Sequence, residues 1–206
     1  MSDRERFCWR AIVAEGERCW ISQEPVTRGQ WAKFIRTGAY FEPGWWPVAL
    51  STFARMRGER HSLGGDALLR AVDFSWRSRG RPVTNINWFE AAAYCRWQQG
   101  RLPWSTDYLA LFPPRPTAPA RRWPWSRAPV RPPASVAFPD TGREWCEDWW
   151  NARFRGRVVR APDPSGTRRL FARDDVDGLH RMDPYQRRDD VGFRIVRDDS
   201  PFGGQG

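Results

Sequence analysis

The 206-residue chain carries a formal net charge of +10, with 34 Lys and Arg against 24 Asp and Glu, and it contains 14 Trp and 12 Phe. That aromatic load excludes a disordered chain, and no apolar run reaches the ~20 residues of a membrane helix. The length suits one hydrophobic core, and residues 1–6 mix both charge signs ahead of no apolar stretch, so a cytoplasmic domain without a secretory leader is expected.

Residues 1–17 read as an N-terminal extension and residues 18–197 as the domain. Cys19-Trp20-Ile21 predicts a short strand within 17–25, entering a turn at Pro25. Thr27 and Gln30 have the spacing of a capping box. Behind them Trp31, Phe34 and Ile35 make one apolar face of a helix ending near Gly38. Residues 40–80 predict mostly loop, with a short helix at 66–72. Asn87 and Glu90 form a second cap, opening a helix that runs to about Gln99 and stops at Gly100, read as its C′ residue. Trp88, Ala91, Ala92 and Cys95 line one face of that helix, while Phe89, Ala93 and Trp97 make another face apolar. Such a helix belongs in the middle of a domain. Ser105 is the expected cap of a third, short helix that Pro113-Pro114 terminates. Eight prolines in residues 113–133 predict a surface loop. Val158-Val159 and Phe193–Val196 read as strands, and Asp198–Gly206 as a frayed, disordered tail.

The residues also limit the chemistry. Cys8, Cys19, Cys95 and Cys146 form no C-x-x-C pair, which excludes a zinc site of ordinary spacing. Free thiols are expected, with Cys95 and Cys146 buried. His61 and His180 are the only histidines, too few for a three-histidine metal site. No phosphate-binding glycine loop, dinucleotide fingerprint or nucleophile elbow occurs. Lys33 is the only lysine, so arginine supplies almost all of the positive charge. The field favours acidic partners. Nucleic acid is the weaker alternative among them, because the arginines alternate with acids and no groove-reading helix or RNA-binding signature is present.

Several separated segments together resemble one family. Pro82-Val83-Thr84-Asn85-Ile86-Asn87-Trp88, Ala92-Ala93-Tyr94-Cys95-Arg96-Trp97 and Gly100-Arg101-Leu102-Pro103 look like the central signature of the formylglycine-generating enzyme (sulfatase-modifying factor) family. Glu24–Phe34 resembles its first helix, and Trp123-Pro124-Trp125 its Tyr-Pro-Trp-Gly segment. Glu144-Trp145-Cys146-Glu147-Asp148-Trp149-Trp150 resembles its Glu-Trp-x-x-Asp-Trp-Tyr motif, and Gly192-Phe193-Arg194 its closing strand. The resemblance covers roughly residues 18–197. It implies an α+β, C-type-lectin-like fold, loop-rich, with short twisted sheets and two or three helices. In it Trp88, Trp97, Trp145 and Trp149 are core residues first.

The resemblance implies less about activity. The family's copper enzymes use two cysteines near the C-terminus, and here none follows Cys146. Its iron enzymes use three histidines, partly from an additional helical domain. No metal cofactor is therefore expected. A family-type calcium site loses its asparagine to the run Asp140-Thr141-Gly142-Arg143, although Asp140, Glu147, Asp148, Asp174, Asp175 and Asp177 could supply oxygen ligands. The family's Arg-Gly-Gly-Ser-Trp is replaced by Arg160-Ala161-Pro162-Asp163-Pro164-Ser165-Gly166.

The leading expectation is a catalytically degenerate binding or accessory module for a protein or a small acidic ligand. Its ligand face would use Trp149, Trp150, Arg169, Phe171, Arg173, His180, Arg181 and Tyr185, residue types that dominate binding hot spots. One alternative is a metal-dependent oxidase or protein-modifying enzyme in which Cys95, Cys146 and His180 are recruited to a metal. Another is a variable protein of a diversity-generating retroelement, with residues 150–190 as the diversified segment. Should the C-terminal residues prove to be core, Tyr40, Trp45 and Trp46 are the fallback ligand site.

Overall fold

A computed structural model describes residues 7–47, 78–112, 143–149, 168–171 and 179–202, with residues 149, 168–171 and 179–181 as backbone positions only. Within them lie three α-helices and two small sheets, a mixed α+β architecture. The expected helix at 66–72, the strand at 158–159 and the proline-rich loop at 113–133 fall outside these residues. Among the described residues no helix is long and apolar enough to cross a membrane.

The first sheet starts earlier than the sequence suggested. Strand β1 (Trp9–Ala14) pairs antiparallel with β2 (Glu17–Ser22) through the two-residue turn Glu15-Gly16. Both turn residues have positive φ, 53° and 85°, the conformation that matches the twist of a tight hairpin. Residues 9–14, within the expected N-terminal extension, are thus an integral strand of the sheet. The signal was Glu15-Gly16 between two alternating segments. β2 also pairs with β7 (Val196–Arg197), giving the order β1-β2-β7. Ile12, Cys19, Ile21, Leu111 and Val196 pack together there.

Helix α1 (Arg28–Arg36) begins with the expected capping box: Thr27 Oγ1 accepts from the Gln30 N–H (3.3 Å), and Gln30 Oε1 accepts from the Thr27 N–H (2.8 Å). Its face of Trp31, Ala32, Phe34 and Ile35 is buried. Two 3-10 turns follow, at Ala39–Phe41 and Pro43–Trp45. Tyr40 and Trp46 are buried, and the Trp46 indole N–H donates to Tyr40 O (3.0 Å). Trp45 is partly buried against the same cluster. These aromatics serve the core, which withdraws them as a fallback ligand site.

Helix α2 (Trp88–Trp97) is the centre of the molecule, with every residue from Trp88 to Cys95 buried. Its cap is the expected reciprocal one, Asn87 Oδ1 accepting from Glu90 N–H (2.9 Å) and Glu90 Oε2 from Asn87 N–H (2.8 Å). The C-terminus differs from expectation. The left-handed residue is Gln99, with φ of 60°. The Gln99 N–H donates to Arg96 O and the Gly100 N–H to Cys95 O, both 2.9 Å, which closes a Schellman motif. Gly100 is required for another reason: a Cβ there would stand 2.5 Å from Val196 O and 2.8 Å from Ile195 Cγ1. The next residue, Arg101, exchanges two 2.9 Å backbone hydrogen bonds with Val196, so the two chains cannot separate cheaply. Gly100→Ala should therefore cost about 1–3 kcal/mol of unfolding free energy. Gln99→Gly, which relieves the left-handed residue, should gain roughly 1 kcal/mol. Urea unfolding of the two variants with an unchanged m-value checks both signs.

Helix α3 (Ser105–Leu111) is capped one residue earlier than expected, at Trp104, whose N–H donates to Asp107 Oδ2 (2.8 Å). Ser105 is the first helical residue and donates its N–H to Asp148 Oδ2 (2.6 Å). The second sheet has the order β5-β4-β3-β6, from β3 (Arg143–Trp149), β4 (Arg168–Phe171), β5 (Leu179–Met182) and β6 (Val191–Gly192). β6 runs parallel to β3, and the other pairs are antiparallel.

The expected strand at 193–196 is split. Residues 193–195 lie between β6 and β7, and their carbonyls serve separate segments: Phe193 O accepts from Val26 N–H and Ile195 O from Ser22 N–H, both at 2.9 Å. The residues after 197 are tied down as far as 202. Asp198 pairs with Arg101 (2.9 Å), and the Phe202 ring meets Trp20 edge-on at 5.1 Å. The expected fraying of 198–206 therefore does not begin at Asp198.

Candidate functional site

β3 is covered on both faces, and alternation decides what goes where. Trp145 joins the main core and donates its indole N–H to Ile86 O (3.2 Å). Glu144, Cys146 and Asp148 are the alternate positions, and each meets α3: Tyr108 donates its hydroxyl to Glu144 Oε2 (2.9 Å), Cys146 packs with Tyr108, and Asp148 holds Ser105. Arg194 reaches the same carboxylate, its Nε donating to both oxygens of Glu144 at 3.1 and 2.9 Å, with both side chains fully buried. Its Nη1 donates to the carbonyls of Ser22 and Gln23. Burial, reinforced by the neighbouring Glu144 charge, pushes the Tyr108 hydroxyl well above its ordinary pKa. Tyr108 is therefore a proton holder and not an acid at neutral pH.

The sequence reading missed this ion pair. The signal was present: Arg194 is the one charge inside the apolar run Val191-Gly192-Phe193-Arg194-Ile195-Val196, and Glu144 stands next to Trp145. A charge in such a run needs a buried partner.

A second buried carboxylate, Glu90, accepts from the Tyr40 hydroxyl (2.7 Å) and from Arg187 Nε (3.1 Å) besides capping α2. Trp88 N–H donates to Pro184 O (3.0 Å) and Asn85 N–H to Arg188 O (2.8 Å). The loop 183–190 is thus fastened over the start of α2.

The predicted ligand residues divide. Trp150 and Arg173 lie outside the described residues. Trp149, Arg169, Phe171, His180 and Arg181 are gathered into three adjacent strands, Trp149 on β3, Arg169 and Phe171 on β4, His180 and Arg181 on β5. Arg169 stands opposite Arg181, Phe171 opposite Leu179, Leu170 opposite His180 and Arg168 opposite both Met182 and Trp149. Because the pleat alternates, Arg169, Phe171 and Arg181 share one row of positions, and Trp149 and His180 fall in the other, the row of Trp145 and Met182. Tyr185 comes from the fastened loop. Its N–H donates to Asp183 Oδ1 (2.8 Å), and its partly buried ring lies 4.8 Å from that of Phe89. Pro184, whose carbonyl accepts from the Trp88 N–H, anchors it to α2.

Among the described residues no three His, Cys, Asp or Glu side chains are grouped to hold a metal. Cys95 sits in the main core with its thiol 3.8 Å from Arg194 O, whereas Cys146 packs on the α3 side of β3. Burial pushes the Cys95 thiol well above its ordinary pKa, and burial with the adjacent Asp107 raises Cys19 to about 12. Of the carboxylates considered for calcium, Asp148 is committed to α3, and Asp140, Asp174, Asp175 and Asp177 lie outside the described residues.

Comparison with known proteins gives a consistent family. The model of the sulfatase-modifying factor enzyme 1-like domain (FGE-sulfatase) matches residues 13–137. Hercynine oxygenase of Mycobacterium tuberculosis is 34% identical over 121 residues, which are 51% of this chain and 26% of that protein. Hercynine oxygenase of Mycolicibacterium smegmatis is 33% identical over 132 residues, 57% of this chain and 28% of that protein. The matched region is thus little more than a quarter of the length of these relatives. Matched over more than half of its residues, and showing helices against small sheets among the described ones, the chain belongs to the sulfatase-modifying factor family and has its C-type-lectin-like α+β fold.

Proposed function

We propose that the chain is a ligand- or protein-binding accessory domain of this family, with its binding face on the β4–β5 ladder. The observation that supports it is the register that sets Arg169 directly opposite Arg181. Like charges at facing positions of an antiparallel pair destabilise the sheet, so folding alone does not favour this arrangement, and an anionic ligand offsets it. Carboxylate and phosphate groups fit, since guanidinium forks bind both bidentately. Calorimetric titration of carboxylate- and phosphate-bearing small molecules tests the reading. For any that binds, Arg169→Ala and Arg181→Ala should each weaken binding by about 2 kcal/mol or more without lowering the melting temperature seen by circular dichroism. Full binding by both variants would refute it.

The relatives' name favours a second reading, in which the chain forms part of an oxygenase. Since no three metal-ligating side chains are grouped among the described residues, such an activity would draw donors from beyond them. Oxygen uptake on adding hercynine, with Fe(II) or Cu(I) supplied, would support that reading against the first.

A further inference from the structure

Away from the C-terminal sheet, three arginines are brought together at the start of α1. The Arg28 N–H donates to Arg81 O (2.8 Å) and the Gly29 N–H to Arg79 O (2.9 Å), while Thr27 bridges to Pro82. A turn closed by Arg81 N–H to Ser78 O (3.0 Å) presents Arg79 and Arg81, both exposed, on either side of Gly80. Gly29 permits this approach, since a Cβ there would stand 3.2 Å from Arg79 O.

Among the described residues none of these three arginines has an acidic partner, whereas Arg101, Arg143, Arg187, Arg188 and Arg194 are all ion-paired. The stretches 25–37 and 77–89, which build the patch, contain no Asp or Glu at all. Arg28 moreover occupies the first turn of a helix, where a cation opposes the helix dipole and where no acidic residue compensates it. The first-turn amides are already used, by Arg81 O, Arg79 O and Thr27 Oγ1. What remains available to a partner is guanidinium.

We infer that Arg28, Arg79 and Arg81 form a docking patch for an acidic peptide segment of a partner protein. Three arginines on two segments joined by backbone hydrogen bonds suit a compact run of carboxylates. A nucleic acid strand would run past these three residues and need further cations in line, whereas exposed Glu24 stands four residues before Arg28 in the chain.

The test uses the full chain and a fluorescently labelled ten-residue poly-glutamate peptide, followed by anisotropy. The triple variant Arg28→Gln/Arg79→Gln/Arg81→Gln should bind at least tenfold more weakly, with a melting temperature equal to or above that of the parent. A control of the same net charge, Arg10→Gln/Arg18→Gln/Arg96→Gln, should keep its binding, as should Arg169→Ala/Arg181→Ala. Equal losses in patch and control variants would reduce the effect to net charge and overturn the proposal. So would a lower melting temperature of the patch variant, which would make these arginines structural. Loss confined to Arg169→Ala/Arg181→Ala would place the peptide on the β4–β5 ladder instead. Tighter, patch-dependent binding of a single-stranded oligonucleotide would replace the peptide by a polyphosphate partner.

Discussion

Glu144→Ala should lower the unfolding free energy by about 3–5 kcal/mol, the cost of stranding a buried charge. Arg194 and Glu144 are both completely inaccessible, and the carboxylate is the only acid bonded to that guanidinium among the described residues. Its removal also takes from the Tyr108 hydroxyl its 2.9 Å acceptor. Against a domain stability of roughly 5–15 kcal/mol, that loss is a large fraction of the whole. The penalty comes from the orphaned charge more than from the bond. Glu144→Leu combined with Arg194→Met should thus recover much of it, the remaining deficit being the Tyr108 hydroxyl that Glu144 serves and the carbonyls of Ser22 and Gln23 that Arg194 serves. Urea denaturation of the two variants beside the parent checks this. A single variant within 1 kcal/mol of the parent would mean that water reaches Arg194.

Trp31→Ala should cost a similar ~3–5 kcal/mol, for a different reason. The Trp31 side chain is 1% exposed and touches four rings: Phe34 at 5.3 Å, Tyr94 at 5.7 Å, and Tyr40 and Phe193 at 6.1 Å between centroids. These rings come from α1, the first 3-10 turn, α2 and the segment before β7, so one side chain joins four parts of the chain. Collapse cannot fill the gap, because Tyr40 is held by Glu90 and Tyr94 belongs to the buried centre of α2. Trp31→Phe, which keeps a ring in the cluster, should lose less than half as much. Thermal and urea unfolding of both variants provide the comparison. Equal losses would show that the indole's size is irrelevant and that the site is simply intolerant of change.

The elements legible in the sequence are those specified by neighbours in the chain. Thr27 with Gln30 and Asn87 with Glu90 announce two helix starts because capping is a contact three residues long. The burial of α2 follows from apolar residues on both of its faces. The family resemblance was readable because its segments keep their order, and the match over residues 13–137 agrees with it. Features that depend on distant segments were not readable. Gly100 looked like a helix stop because glycine so often is one, yet its neighbour is Val196, which no local pattern reveals. β1 was assigned to an extension because its partner strand was recognised without the turn that joins them. The candidate ligand residues were chosen by type, and type carries no register. The ladder gathers five of them into three strands but separates Trp149 and His180 from Arg169, Phe171 and Arg181. Tyr185 follows Pro184, whose carbonyl accepts from the Trp88 N–H of α2, a bond that composition does not encode.

The first sheet has a consequence for how the chain is made. Its third strand comes from Val196 and Arg197, and Arg194 grips the carbonyl of Ser22 from 172 residues away. A ribosome adding ~5–20 residues per second needs on the order of ten to thirty seconds between the two. Throughout that interval β2 has a bare edge, and the Phe193 ring is missing from the cluster around Trp31. Contacts so remote in sequence also fold slowly once present, since the loop must close before any of them is rewarded. The nascent hairpin therefore waits with an unpaired strand edge, the kind of surface on which chains pair with one another and on which chaperones act.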